Sequence, residues 1–233
     1  MKHLRSLMRR PVSIVAVLGV ILLTGCTQFT GPPDKVAPML IEGAQDTLAH
    51  FRRVPDLQVI DRLIPGAAGI LILPSVVKGG LVGAAEAGTG VLLARTPNGW
   101  SYPAFYMLTA GSIGFQVGLQ ETEVVMIIRN LGALNAVVEH QIKLGADFGI
   151  TVGWKGIGYE GSTTTNAGAD IIAVVGPGMG AYGGVSLEGA ALVRRTDLNE
   201  ALYGANAVPR EIIFDGIRTN PIADSLRAAI SPQ

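Results

Sequence analysis

Gly69-Ile-Leu-Ile-Leu-Pro74, running on into Ser75-Val-Val-Lys78-Gly79-Gly80, and then Gly90-Val-Leu-Leu-Ala94, decide the fold class. Both runs are short, aliphatic and bounded by Gly or Pro, the pattern of strands and not of helices. Similar runs cover Ser112–Gln120, Glu123–Ile128, Asp147–Val152, Asp170–Val175 and Val185–Val193. Turn signals at Thr96-Pro97-Asn98-Gly99 and Gly176-Pro177-Gly178 separate them. Glycine also recurs within the runs, at Gly80–Glu86, Gly114–Glu121 and Gly145–Gly153, and more loosely at Gly184–Gly189. Glycine weakens a strand and marks a bulge, a bend or a close backbone approach. Its repetition predicts a strongly curved, mostly antiparallel barrel or sandwich. The spacing has no fixed period, which excludes a solenoid or propeller.

Helices flank these strands. Val36, Met39, Leu40, Ala44, Thr47, Leu48 and Phe51 recur at helical spacing after Asp34, and Arg52 and Arg53 suit the negative end of that helix. Its polar face carries Glu42, Gln45, Asp46 and His50, not the basic residues of a membrane-surface helix, so it reads as a core element. A shorter helix is expected over Asp56–Leu63, one internal helix over Leu131–Gln141, and a last one over Pro221–Ile230. The fold class is therefore α+β, with a single domain over residues 34–233.

Composition narrows the function. The 233 residues hold 18 basic and 18 acidic side chains, and charged residues are only 15% of the chain. Hydrophobic residues make up 48%, with 31 Gly, and mean hydropathy is +0.41. Such a chain is neither disordered nor a polybasic nucleic-acid binder. One Cys excludes a disulfide framework and Cys-cluster metal sites, and the three His leave little for a His-based one.

The lone Cys stands at a telling place. Lys2, Arg5, Arg9 and Arg10 precede an apolar run from Pro11 to Leu23, which fits a signal-peptide core better than a membrane span. The run ends in Leu23-Thr24-Gly25-Cys26, which resembles a bacterial lipobox. That resemblance implies a signal peptide over residues 1–25, a diacylglyceryl group on the Cys26 sulfur, and an acylated tether over 26–33. Several acyl chains on one residue make an effectively permanent anchor, where a single chain binds only reversibly. Thr27, in place of Asp, implies sorting to the outer membrane, on its periplasmic side. Loss of residues 1–25 removes four basic and no acidic side chains, leaving 14 against 18.

Two catalytic look-alikes are set aside. Gly176-Pro-Gly178-Met-Gly180-Ala181 follows a strand, but Tyr182-Gly183-Gly184 cannot open the helix that a dinucleotide fingerprint needs. Ala110-Gly-Ser112-Ile-Gly114 resembles a nucleophile elbow, yet a strand and not a helix is expected after Ser112. Only His50 and His140 lie beyond the signal segment, and His140 reads as a helix-end residue. No enzyme, cofactor or metal is expected.

From Gly69 onward the motifs resemble the SYLF-domain lipid-binding family. They are Gly69–Gly80 with Gly88–Arg95, Asn98-Gly-Trp100-Ser-Tyr-Pro103-Ala104, Gly111–Gly118 with Val124-Val-Met126, Lys143-Leu-Gly145-Ala-Asp147, Gly183–Gly189, and Tyr203-Gly204. They stand in the family's order over about residues 40 to 230. The resemblance implies a non-catalytic lipid binder, here a bacterial lipoprotein member. Eukaryotic members are similar to phosphoinositide and phosphatidic-acid binders, and some bind actin. The alternative is an envelope protein anchored in the same way that binds a protein partner and no lipid.

Lys78, beside Gly79 and Gly80, is the first candidate for a phosphate contact: a point charge with backbone amides nearby. Lys143 and Lys155 flank the Gly145–Gly153 run as further headgroup candidates. Trp154 is a candidate for an acyl interface, whereas Trp100 reads as core. Glu188, in an apolar run, calls for a partner if buried, and Arg95 and Arg194 are the cations considered for it.

Overall fold

A computed structural model of the chain describes residues 31–80, 83–113, 118–154, 169–180, 187 and 189–231. Gly31–Gln233 forms one compact unit, and the core described below lies wholly within it. Cys26 and the signal segment, Lys155 and Glu188 lie outside the described residues.

Helix α1 spans Pro33–Arg53, with Pro33 in the first turn, where its missing N–H leaves no bond unmade. Asp34 is inside the helix and not its cap. Val36, Leu40, Ala44, Thr47, Leu48 and Phe51 are buried as their spacing implies, and Ala37 and Ile41 widen the stripe. Met39 points away, 45% exposed. Val54 leaves the helix in an extended conformation, as a residue before proline prefers. The expected Asp56–Leu63 helix is broken into a 3-10 turn at Pro55–Leu57, helix α2 at Val59–Leu63 and a second 3-10 turn at Ile64–Gly66.

The strands are β1 (Gly69–Gly80), β2 (Gly83–Thr96), β3 (Gly99–Trp100), β4 (Ala104–Ile113) and β5 (Gly118–Ile128). After helix α3 (Leu131–Glu139) come β6 (Ile142–Lys143), β7 (Ile150–Trp154), β8 (Ile171–Val175), β9 (Met179–Gly180) and β10 (Ala191–Arg194). Helices α4 (Thr196–Tyr203), α5 (Pro209–Ile213) and α6 (Asp224–Ile230) close the domain. The main sheet runs β6-β10-β4-β2-β1-β5-β8-β7, antiparallel except for the β7–β8 pair. Laid flat, eight strands would separate the outer two by ~34 Å. Only residues 144–149 join β6 at one edge to β7 at the other, a reach of at most ~25 Å, and a turn from Gly145 N–H to the Phe148 carbonyl shortens it. The sheet must curl. It is a half-barrel, the curved α+β architecture that the glycines announced.

Several boundaries differ from expectation. β1 does not stop at Pro74; it continues through a bulge between Ile72 and Ser75. The bulge accommodates a residue without an N–H. Gly88 and Gly90 on β2 make room for it: a Cβ at Gly90 would lie 2.1 Å from the Ile72 carbonyl oxygen, and one at Gly88 2.6 Å from that of Ser75. β2 is longer than the Gly90–Ala94 run suggested, and the expected Ser112–Gln120 strand is divided between the end of β4 and the start of β5, most of β4 not being anticipated. These Gly/Ala-rich stretches gain strand structure from pairing with neighbours and not from propensity. Helices α4 and α5 were not anticipated; their signals were Thr196-Asp197 and Pro209 in first turns.

The sheet has two unlike halves. Around Gly69–Leu73, Val91–Ala94, Ala104–Tyr106, Val124–Ile128 and Ile171–Val175 every residue is buried, so both faces are covered, as in sheets clad on two sides. Thr47 and His50 of α1 reach one face at Glu123, and Leu134 of α3 sits over Gly69 on the other. Beyond the bulge, burial alternates: Ala84, Glu86 and Gly88 are buried, while Ala85 and Ala87 are exposed.

Candidate functional site

Lys78 lies on β1 opposite Glu86 of β2 and Gln120 of β5, so all three share one face. The Lys78 Nζ is 2.9 Å from the Glu86 Oε1, with only 8% and 2% of the two side chains exposed. This face also buries Thr122, whose hydroxyl donates to the Gly176 carbonyl at 2.9 Å. Gly178 closes over Gln120: a Cβ there would sit 2.2 Å from its Nε2. The expected turn at Gly176–Gly178 is instead an interruption in one strand path: β8 and β9 both run antiparallel to β5, and the segment carries the chain from one to the other along it.

The bulge decides which way Lys78 points. Before it, Gly69, Leu71 and Leu73 face with Ile128, Met126 and Val124; after it, Val76, Lys78 and Gly80 face with Thr122, Gln120 and Gly118. Strict alternation from Leu71 would have put Lys78 on the other face; one extra residue turns it inward. Lys78 is therefore not a solvated loop lysine. An anionic headgroup would reach it only by competing with Glu86.

The opposite face of this half is open. One row across it reads Glu121, Val77, Ala87, Thr109, Ala191, Lys143, and the next toward the strand ends reads Leu119, Gly79, Ala85, Gly111. Leu119 is 43% exposed and lies across Gly79. The first row has a carboxylate at one end, Glu121, which accepts from the Ser75 hydroxyl at 2.5 Å. It has the exposed Lys143 at the other end, on an edge strand. Between them there is no ionisable residue. Gly79 thus belongs to the open face and Gly80 to the covered one. Trp154 ends β7 at the far edge of the sheet from Lys143. Among the described candidates, Lys78 and Lys143 are separated by face.

Sequence reading did not single out Glu86 and Gln120, although their even spacing from the buried Gly88 and Thr122 carried a signal. It also missed the tie between α1 and β5, where Glu123 accepts from the Thr47 hydroxyl at 2.7 Å and contacts the His50 imidazole. Ser112 sits within β4, paired with Ala84, and not on a strand-to-helix turn. His140 caps α3. Among the described residues no group of three His, Cys, Asp or Glu is placed to hold a metal, and no helix is long and apolar enough to cross a membrane.

The Trp100–Pro103 segment builds the frame. Trp100 is buried, its carbonyl accepts from Arg227 of α6 at 2.8 Å, and Arg95 stacks on its ring at 4.5 Å. Ser101 accepts from the Ala94 N–H at 2.9 Å. The Tyr203 hydroxyl, pushed up in pKa by burial, donates to the Pro103 carbonyl at 2.7 Å. Arg95 also donates to the Ile64 and Ala67 carbonyls, and Arg194 to that of Glu139, so both cations considered for Glu188 have other work.

Residues 109–232 match the family model described as Ysc84, Las17-binding protein actin regulator. The chain is 31% identical over 174 residues to the SH3 domain-containing YSC84-like protein 1 of Xenopus laevis, covering 73% of this chain and 51% of that protein. The human protein of the same name is 30% identical over 182 residues, covering 77% and 52%. LAS seventeen-binding protein 3 of Saccharomyces cerevisiae is 29% identical over 191 residues, covering 78% and 41%. The chain spans about half the length of the curated relatives it matches.

Proposed function

The chain belongs to the Ysc84 family, the SYLF-domain group, and from that premise we propose that it is a lipid-binding, non-catalytic domain held at a membrane by an acylated Cys26. One observation carries the reading: the outer half of the sheet has its polarity inverted. Its ionisable pair, Lys78 and Glu86, is buried, while the half-buried to exposed row between Glu121 and Lys143 on the other face bears no charge. An antiparallel sheet facing water normally shows the reverse pattern. Apolar-out and polar-in is the order of strands that face lipid. In this reading the lipobox places the protein on the periplasmic side of a bacterial outer membrane.

The test uses the Gly31–Gln233 unit, the compact unit that holds the described core. It is expected to float with vesicles of phosphatidylethanolamine and phosphatidylglycerol. Failure to float with these or with phosphatidylcholine vesicles would overturn lipid binding. A second reading rests on the relatives' names, which describe binding to Las17 and actin regulation. In it the open face docks a protein partner, and vesicles leave the unit in solution.

A further inference from the structure

We propose that the open face of the β1–β2–β4–β5 end enters the acyl layer of a bilayer, with Lys143 at its margin meeting lipid phosphates. This rests on the lipid-binding reading and names its surface. The occupant is the bilayer itself, not a single extracted lipid.

The argument is one of charge and dimension. Leu119, Gly79, Ala85 and Gly111 form the row nearest the strand ends; Val77, Ala87, Thr109 and Ala191 form the next. None is ionisable, and an acyl layer offers no partner to an ion. The side chains are small, and exposed Ala85 and Ala87 lie beside the exposed Leu119, so the face is smooth and apolar.

Depth follows from the rows. From Val77 to the strand end at Gly80, β1 rises ~10 Å at ~3.3 Å per residue, within the half-thickness of a ~30 Å hydrocarbon core. The face therefore reaches into one leaflet and does not cross to the other. Ionisable groups begin where the apolar rows end: Glu121 and Lys143 bound the second row. Lys143 is exposed, and its flexible stem lets an ammonium reach the headgroup layer. The Thr27–Pro33 tether extends at most ~25 Å, so an acylated Cys26 would keep the domain within reach of the surface.

Depth-dependent quenching reads the orientation directly. Leu119→Trp and Ala87→Trp are made singly in the full chain, reconstituted into vesicles of phosphatidylethanolamine and phosphatidylglycerol with brominated acyl chains. Leu131→Trp serves as control; Leu131 is 63% exposed and opens α3, which follows the opposite end of β5. Emission from the wild-type tryptophans is subtracted, and circular dichroism checks the fold of each variant. Emission at positions 119 and 87 is expected to be lost to the acyl-chain bromines, as for a ring within the acyl layer, with no loss at 131. If the Gly31–Gln233 unit floats with vesicles but positions 119 and 87 are quenched no more than 131, the surface is wrong and lipid binding stands. If the unit does not float and neither position is quenched, both fall. Substituting Lys143→Glu is expected to weaken flotation of the unit on the anionic mixture by about tenfold and to leave quenching at 119 in the anchored chain in place. Unchanged flotation would remove Lys143 from the margin.

Discussion

Lys78 and Glu86 face each other across β1 and β2 with Nζ and Oε1 2.9 Å apart, closed off from solvent on the covered face. A buried pair gains little over an apolar pair of the same shape, but breaking it leaves an uncompensated charge. Lys78→Met alone is expected to destabilise the domain by about 3–5 kcal/mol, and Lys78→Met with Glu86→Leu to recover most of that loss. Urea unfolding of the three proteins decides it. A single variant as stable as the wild type would mean that the pair is not held out of water.

The bulge at Pro74 makes a second prediction. Gly90→Ala would push a methyl to 2.1 Å from the Ile72 carbonyl oxygen, and is expected to lower stability by about 2–3 kcal/mol, as overpacking does. Gly111→Ala, on the open face with nothing within 4 Å of its Cβ, should be neutral. Equal thermal midpoints for the two variants would show that β2 can move away from the bulge at no expense.

Asp197 offers a pH test. Arg195 grips both its oxygens, at 2.9 and 2.7 Å, and this fork holds the carboxyl below its ordinary value. The folded state therefore binds the Asp197 proton less readily than the unfolded one. Its stabilisation is fully present above the ordinary value of 3.8 and is lost as pH falls through the lower folded value. The side chain is 47% exposed, so solvent screening limits the effect to about 0.5 kcal/mol. Asp197→Asn is expected to be less stable than wild type at pH 6 and to converge with it near pH 2. A gap that widens on acidification would reverse the assignment.

Cys26→Ala is expected to abolish incorporation of labelled fatty acid, because the diacylglyceryl group is taken up on a thiol and Cys26 is the one Cys of the chain. Label that persists in the variant would sink the anchor, but not the reading of the open face.

Local signals carried much of this protein. The α1 stripe, the aliphatic runs of the clad half-sheet and the turn before Gly99 were legible because each depends on neighbours within a few residues, whereas Gly176–Gly178 reads as a turn and is an interruption in a path held straight by β5. Burial of Trp100 was legible too; its bond to Arg227 and that of Tyr203 to Pro103 were not, since each joins residues more than 90 positions apart. The Lys78 side chain shows the boundary most sharply. Its sequence context reads as a loop cation beside two glycines, open to phosphate. Whether it faces solvent depends on parity, and parity depends on one extra residue at Pro74 that both partner strands must accommodate. Pairing register is a property of three strands at once, so only the tertiary structure could turn that charge inward and leave the opposite face bare.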